Sequence, residues 1–539
     1  MKFYPENLRT AALMFLVAMA LVIASCGPVD DPVDDPDDPD DPDGIVDEYG
    51  GTLRIAWAAE PSMLDIQATA HTSTRYVVVN IFELLFAMDE DFQPQPMLAE
   101  DYSVSEDGTT YTITLRQGVP FHDGQEMTSD DVVASLERWG RVSGVGGTVF
   151  DNVISVDATD TYEVEVQLEE PSFFFLSTLA TERQGPGIYP KSLIDEYGDD
   201  AIGEAIGTGP FKMDEWARDD FIRLVRFEDY VPRDEEPDGY TGRRTAYVDE
   251  IIYQQVVDPS VRAMALEAGD YDISLNIAGE DYERLDSDPS ISIVRSAPTM
   301  PCLTPNKKHG VLSEDEGYGR LLRQAIMVAL DKDEINLATF GHPDVYRVNP
   351  SYMYEESAYY TEAGSEGLFN QGDTERAREM AEEAGYQGEP IRLAVTEGTE
   401  HYDSAVVITD QLERAGFEID LMALDGATFR DYRSAPDLVD MFISGQTWRP
   451  HPILLSWMHA TWPGFFDDDH KDELLAQMLR SPTWEEEYAV WEELHEHLYY
   501  FVPSIKLGET YVLTALSDDV EGYLGMPEPA MWNVRLTGN

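Results

Sequence analysis

The chain has 539 residues, of which 105 are acidic and 36 are Lys or Arg, for a formal charge of −69 with 43% apolar residues. A negative field of that size excludes nucleic acid and anionic lipid head groups as partners on Coulomb grounds. The length exceeds what one hydrophobic core supports, so two or three folded units are expected.

In chain order, Lys2 and Arg9 precede an apolar and small-residue run of fourteen residues, Ala11 to Ala24. That is short for a bilayer span and suits the apolar segment of a secretory signal. Ile23-Ala24-Ser25-Cys26 resembles a bacterial lipobox, so residues 1–26 read as a lipoprotein signal peptide with Cys26 as the lipid anchor. Residues 27–50 are rich in Asp and Pro, with eleven acids and no base between Val29 and Glu48. Such a stretch cannot offset its ordering entropy and repels itself, so an extended, disordered stalk is expected. Setting those eleven aside leaves an excess of 58 negative charges on the rest of the chain. Self-repulsion of that order is relieved by salt, which points to a saline, halophile-like surface. Past the signal no run is long and apolar enough for a transmembrane helix. Cys302 is the one other cysteine and reads as an inert core residue.

Thr52–Trp57 alternates as a strand, and Arg75–Phe86 reads as a helix with Val78, Phe82 and Leu85 on one face. Glu106-Asp107-Gly108 is a turn before the strand Thr110–Leu115. Thr128 caps a helix whose first turn carries Asp130 and Asp131 and which continues through Val132–Trp139. Tyr162–Leu168 alternates again. Helical periods follow at 321–329 and 374–385, with Gly385 as C-cap before the strand 391–395. A helix at 405–416 and a strand at 417–421 come next, then a strand at 441–443. Mixed elements of this kind argue an α/β architecture of more than one lobe.

Catalytic signatures are missing from the sequence: no nucleophile elbow, phosphate loop, HExxH or paired CxxC. His495 and His497 stand two apart on a helix, the wrong spacing to share a metal, and the acidic stalk lacks a calcium-loop register. No metal or cofactor is expected. Asp467–His470 reads as a solvated loop. Aromatic residues are plentiful, among them Trp57, Phe173–Phe175, Tyr359, Tyr360, Trp448, Trp457, Trp462, Phe465 and Phe466. About one in three would line a cleft and the rest a core. The loop Thr447-Trp448-Arg449-Pro450-His451-Pro452 stands out for uniting Trp, Arg and His behind a strand.

A longer pattern is then visible. It comprises Pro96–Tyr102, Ser105–Arg116, Gly118-Val119-Pro120-Phe121-His122-Asp123-Gly124 and Thr128–Val133. Gly207–Phe211, Val261–Asp272, Arg323–Ile326 and Ala329–Asp331 follow in order. Together these resemble the family 5 extracellular solute-binding proteins, which include oligopeptide-, dipeptide- and nickel-binding subunits of ATP-binding-cassette (ABC) importers. The resemblance implies a two-lobed periplasmic-binding-protein-like fold (class II, cluster C type) with an extra subdomain and a discontinuous first lobe. It places that lobe at 51–72, 205–298 and 509–539, the subdomain at 73–204 and the second lobe at 299–508.

By the same resemblance the protein is no enzyme. The resemblance implies an extracytoplasmic monomer that captures a peptide or other small solute for ABC permease subunits with their cytoplasmic ATPases, and residues 1–26 add the expectation of a membrane-anchored lipoprotein. A receptor for an oligosaccharide or anionic solute, or a sensor-docking protein, is the alternative. The implied ligand-binding residues are Trp57, His71, Thr72, Trp448, Arg449 and His451. In peptide-binding members an Asp in the loop matching 445–452 pairs with the peptide's ammonium. Here Trp448 or Arg449 takes its place, and a guanidinium prefers a carboxylate or phosphate.

Overall fold

The computed structural model describes residues 49–172, 175–313, 318–447, 449, 451–481 and 483–538, with Ala297 and Pro298 described by their backbone alone. The signal run, Cys26, most of the stalk, Phe173, Phe174 and Trp448 lie outside the described residues.

A single large sheet organises the chain into a two-lobed α/β fold. From one edge to the other its strands are Ile419–Leu424, Ile391–Thr396, Met441–Gln446, Ile291–Pro305, Glu509–Ser517, Ile273–Leu275, Thr52–Trp57, Glu250–Gln255, Phe221–Arg226 and Phe211–Ala217. The fifteen-residue strand Ile291–Pro305 ties the halves together. Its N-terminal part pairs with Glu509–Ser517 and its C-terminal part, from Met300, with Met441–Gln446. The register with Glu509–Ser517 shifts between Ser296 and Thr299, just before the strand passes to its second partner at Met300.

Three large apolar cores flank this arrangement. The first gathers Leu53, Ile55, Tyr253, Phe211, Leu275 and Val534 around the strands that follow Thr52–Trp57. The second lies under a separate four-stranded antiparallel sheet built from Ala99–Val104, Thr110–Leu115, Glu163–Leu168 and Val153–Asp160. Its alternating residues Tyr111, Ile113 and Leu115 point inward, as the period of two requires. The third is drawn from Met300 to Leu507 and includes Trp457, Trp491 and Leu498. Cys302 belongs to it, free and buried, its thiol pushed up to about 12 by desolvation.

Local chemistry accounts for most boundaries. The helix Ser129–Val142 starts where the Asp131 carboxylate accepts the Thr128 backbone N–H at 2.9 Å. The helix Thr374–Ala384 stops because Gly385 takes the left-handed conformation at φ 92°. The predicted helix 75–86 is cut short: the helix is Thr72–Val78, and Phe86–Met88 is a strand. Backbone N–H groups from elsewhere take the carbonyls that a longer helix would use. Phe211 and Gly209 donate to Asn80 and Ile81, Leu98 to Leu84, and Met97 and Ala99 to Leu85. Asp468 corrects the reading of 467–470 as a solvated loop: it caps the helix Asp469–Leu479, accepting from the Lys471 N–H at 2.7 Å. His495 and His497 face different partners, the Ala363 carbonyl at 2.6 Å and Asp468 at 2.9 Å. Among the described residues no helix is long and apolar enough to cross a membrane, and no cluster of His, Cys, Asp or Glu is arranged to hold a metal.

Candidate functional site: a cavity with arginines on both walls

A cavity of about 650 Å³ opens between the second and third cores. The size suits a small-molecule ligand. One wall is built from the helix Thr72–Val78, the short helix Phe175–Leu179, the Ala180–Gln184 segment behind it, and the returning chain at Pro527 and Glu528. The opposite wall is the loop after Met441–Gln446, with Thr447, Arg449, Ile453 and Leu454, and then His459 and Trp462. Thr299 and Val512 contribute from the two central strands that run between the halves.

Arg75 on the first wall forms an ion pair with Glu528, both side chains almost wholly buried. It also donates to the Thr72 hydroxyl at 3.1 Å. Glu528 is fixed through its backbone: its N–H donates to the Tyr240 hydroxyl at 2.6 Å, and that hydroxyl donates back to its carbonyl at 3.1 Å. Burial raises the Glu528 carboxyl above its ordinary range against the opposing pull of Arg75 and Arg183, and its Oε2 has no hydrogen-bond partner among the described residues. Glu182, on the same wall, is pushed up to about 7 by desolvation, which outweighs the attraction of Arg244.

Arg183 reaches across the cavity and donates from Nη1 to the Thr447 hydroxyl. Burial first, then the charges of Arg449 and Arg75, bring it down to about 9. Arg449 donates Nε–H to the Leu454 carbonyl at 3.2 Å, and its two Nη groups have no partner among the described residues. Burial lowers it as well, with Arg75 adding repulsion. At the rim, Arg480 meets Glu170 at 3.0 Å, an exposed pair worth about 0–1 kcal/mol.

Of the residues named from sequence, Thr72 and Arg449 line this cavity. His71 is exposed immediately before the helix that carries Thr72. Trp57 is 2% exposed and packs on Tyr253 in the first core, away from the cavity. His451 is buried behind the loop, 2.6 Å from Glu487, and accepts the Ile453 N–H at 3.2 Å, so it holds the loop's shape from behind. Glu182, Arg183 and Glu528 escape sequence reasoning. A charged Glu-Arg pair just past the largely apolar stretch Phe173–Ala180 is the one local sign that the first two serve a site.

The bacterial extracellular solute-binding proteins, family 5, match over residues 93–465. A probable peptide ABC transporter periplasmic-binding protein, y4tO of Sinorhizobium fredii, is 28% identical over 493 residues, covering 88% of this chain and 91% of that protein. The glutathione-binding protein GsiB of Salmonella typhi is 25% identical, covering 88% and 92%. Among solved structures, the periplasmic binding protein DppA of Helicobacter pylori in complex with the peptide STSA superposes with a TM-score of 0.75 at 21% identity, covering 91% of this chain and 99% of that one. The match spans well over half of the chain: it belongs to the bacterial extracellular solute-binding proteins of family 5, binding proteins rather than enzymes.

Proposed function

We propose that the protein is the extracytoplasmic solute-binding subunit of an ABC importer, and that it captures a peptide or peptide-like solute in the cavity and presents it to membrane permease subunits. The observation that carries this is the cavity itself, a ligand-sized space between two separately cored walls joined by two central strands. The names of the relatives, peptide- and glutathione-binding, support a peptide as cargo. Two walls on a shared hinge can exchange between open and closed states, and a solute touching both walls favours the closed one.

Within this reading, Thr72 and Arg449 contact the solute, and the lobes follow the boundaries 51–72, 205–298 and 509–539 against 299–508, with 73–204 as the added subdomain. Cys26 carries the lipid, and the acidic segment behind it is the leash. A tethered monomer meets its permease at a raised effective concentration. Native mass spectrometry of freshly purified protein tests the cargo. A retained peptide is the expected result, and a retained sugar or other non-peptide solute overturns it. Cys26→Ala tests the anchor, and it should release the protein from the membrane fraction.

A further inference from the structure

The cavity's charges are unevenly neutralised. Four carboxylates line it: Asp151, Glu170, Glu182 and Glu528. Glu528 pairs with Arg75 through Oε1 and also attracts Arg183, and Glu170 pairs with Arg480. Asp151 is exposed at the end of the helix Gly144–Phe150. Arg244 is the cation that Glu182 feels most. Among the described residues neither Asp151 nor Glu182 hydrogen-bonds to Arg183 or Arg449, and Arg449, bonded to the Leu454 carbonyl, forms no ion pair, while Arg183 feels the more distant charge of Glu528. Arg183 and Arg449 come from opposite walls, and the bond from Arg183 to Thr447 places its guanidinium beside the loop that carries Arg449. Bringing the walls together therefore brings together two cations with no shared counter-ion. Arg138 shows a buried arginine fully served by the fold: all five of its N–H groups are bonded.

We propose that Arg183 and Arg449 form a two-walled anion clamp, and that the solute carries a carboxylate which bridges them and thereby selects the closed form. This rests on the reading of the cavity as the solute site and names the class of solute: an acid. A carboxylate offers two oxygens to two planar forks, so each guanidinium can donate to it and the repulsion between them becomes attraction. A neutral amide has one acceptor oxygen, and its NH₂ would face a cation.

The test offers the full-length protein an equimolar pool of tripeptides as matched free acids and C-terminal amides, together with a pool of non-peptide dicarboxylates, and reads retention by native mass spectrometry. Free acids should be retained about 10- to 100-fold over amides, the worth of one or two charge-assisted bonds. Arg183→Gln and Arg449→Gln should each bring acids and amides to near parity, and Arg449→Lys should keep part of the preference. Circular dichroism melts verify that the variants fold. Equal retention of acids and amides by the unaltered protein overturns the clamp while the peptide reading stands. Retention of dicarboxylates but not tripeptides, abolished in both Gln variants, upholds the clamp and overturns the peptide reading. Retention of neither pool overturns both.

Discussion

Arg138 and Arg449 make an instructive pair, the first fully buried and the second half-buried on a cavity wall. Arg138 is fully buried against Asp65, and its remaining N–H groups meet Gln67 and the carbonyls of Gly198 and Asp200. Asp65 in turn accepts from the Ile202 N–H and the Tyr189 hydroxyl. All of the Arg138 N–H groups and both Asp65 oxygens are engaged by the fold itself. Arg449 spends one N–H on the Leu454 carbonyl and keeps its outer nitrogens on a cavity wall. A desolvated cation held in that way is a cost to the isolated protein, and such costs gather where ligands bind.

The contrast is sharpest in stability. Arg138→Met should cost about 3–5 kcal/mol, read as a lower urea midpoint, because it strands a buried carboxylate. A shift under 1 kcal/mol would mean that water reaches Asp65. The next largest effect is on pH. Glu182 titrates at about 7 in the folded protein against an ordinary 4.5, so the folded state holds this proton more tightly. Its stabilising contribution is present below pH 4.5 and lost as pH rises through 7, by up to about 3 kcal/mol. Melting temperatures followed from pH 5 to 8 should fall in the native protein and fall less in Glu182→Gln. Arg244, Arg75 and Glu528 are the charges that set this value, and equal slopes would place the proton elsewhere.

Salt acts on both arginines' surroundings through the surface. With −69 overall, the melting temperature should rise by several degrees between about 0.1 M and 1 M NaCl, as the screening length drops from about 10 Å to 3 Å. A flat response would sink the expectation of a saline habitat. The smallest effect belongs to Arg449→Gln, which should change stability by less than about 1 kcal/mol, or raise it, since no protein carboxylate loses a partner. A loss near that of Arg138→Met would show that the two arginines are alike after all.

How much of this could be read from the chain differs between fold and site. Thr110–Leu115 and Thr52–Trp57 declare themselves by alternation, and Thr128 and Gly385 by capping chemistry, because those signals are local. The stretch after Val78 misleads for the opposite reason. Its apolar spacing is helical, but its carbonyls are claimed by Phe211, Gly209 and Met97–Ala99, and strands far away in sequence decide the matter. The site divides along the same line. Thr72 and Arg449 are reachable through family resemblance. Glu528 meets Arg75 across 453 residues, and Arg183 meets Thr447 across 264, separations at which no spacing rule operates.

The strand Ile291–Pro305 has a mechanical consequence. It would act as a torsion bar with a weak point: the register shift between Ser296 and Thr299 interrupts the ladder just before the strand changes partner at Met300. Twisting there would break fewer hydrogen bonds than twisting elsewhere along it. Thr299 and Val512 at this crossing also form part of the cavity, so a solute resting on them would press on the pivot itself. A slight rotation at that floor would be levered into a large displacement at the mouth, where Glu170 meets Arg480. Slower amide exchange at Thr299 on solute binding would be its signature.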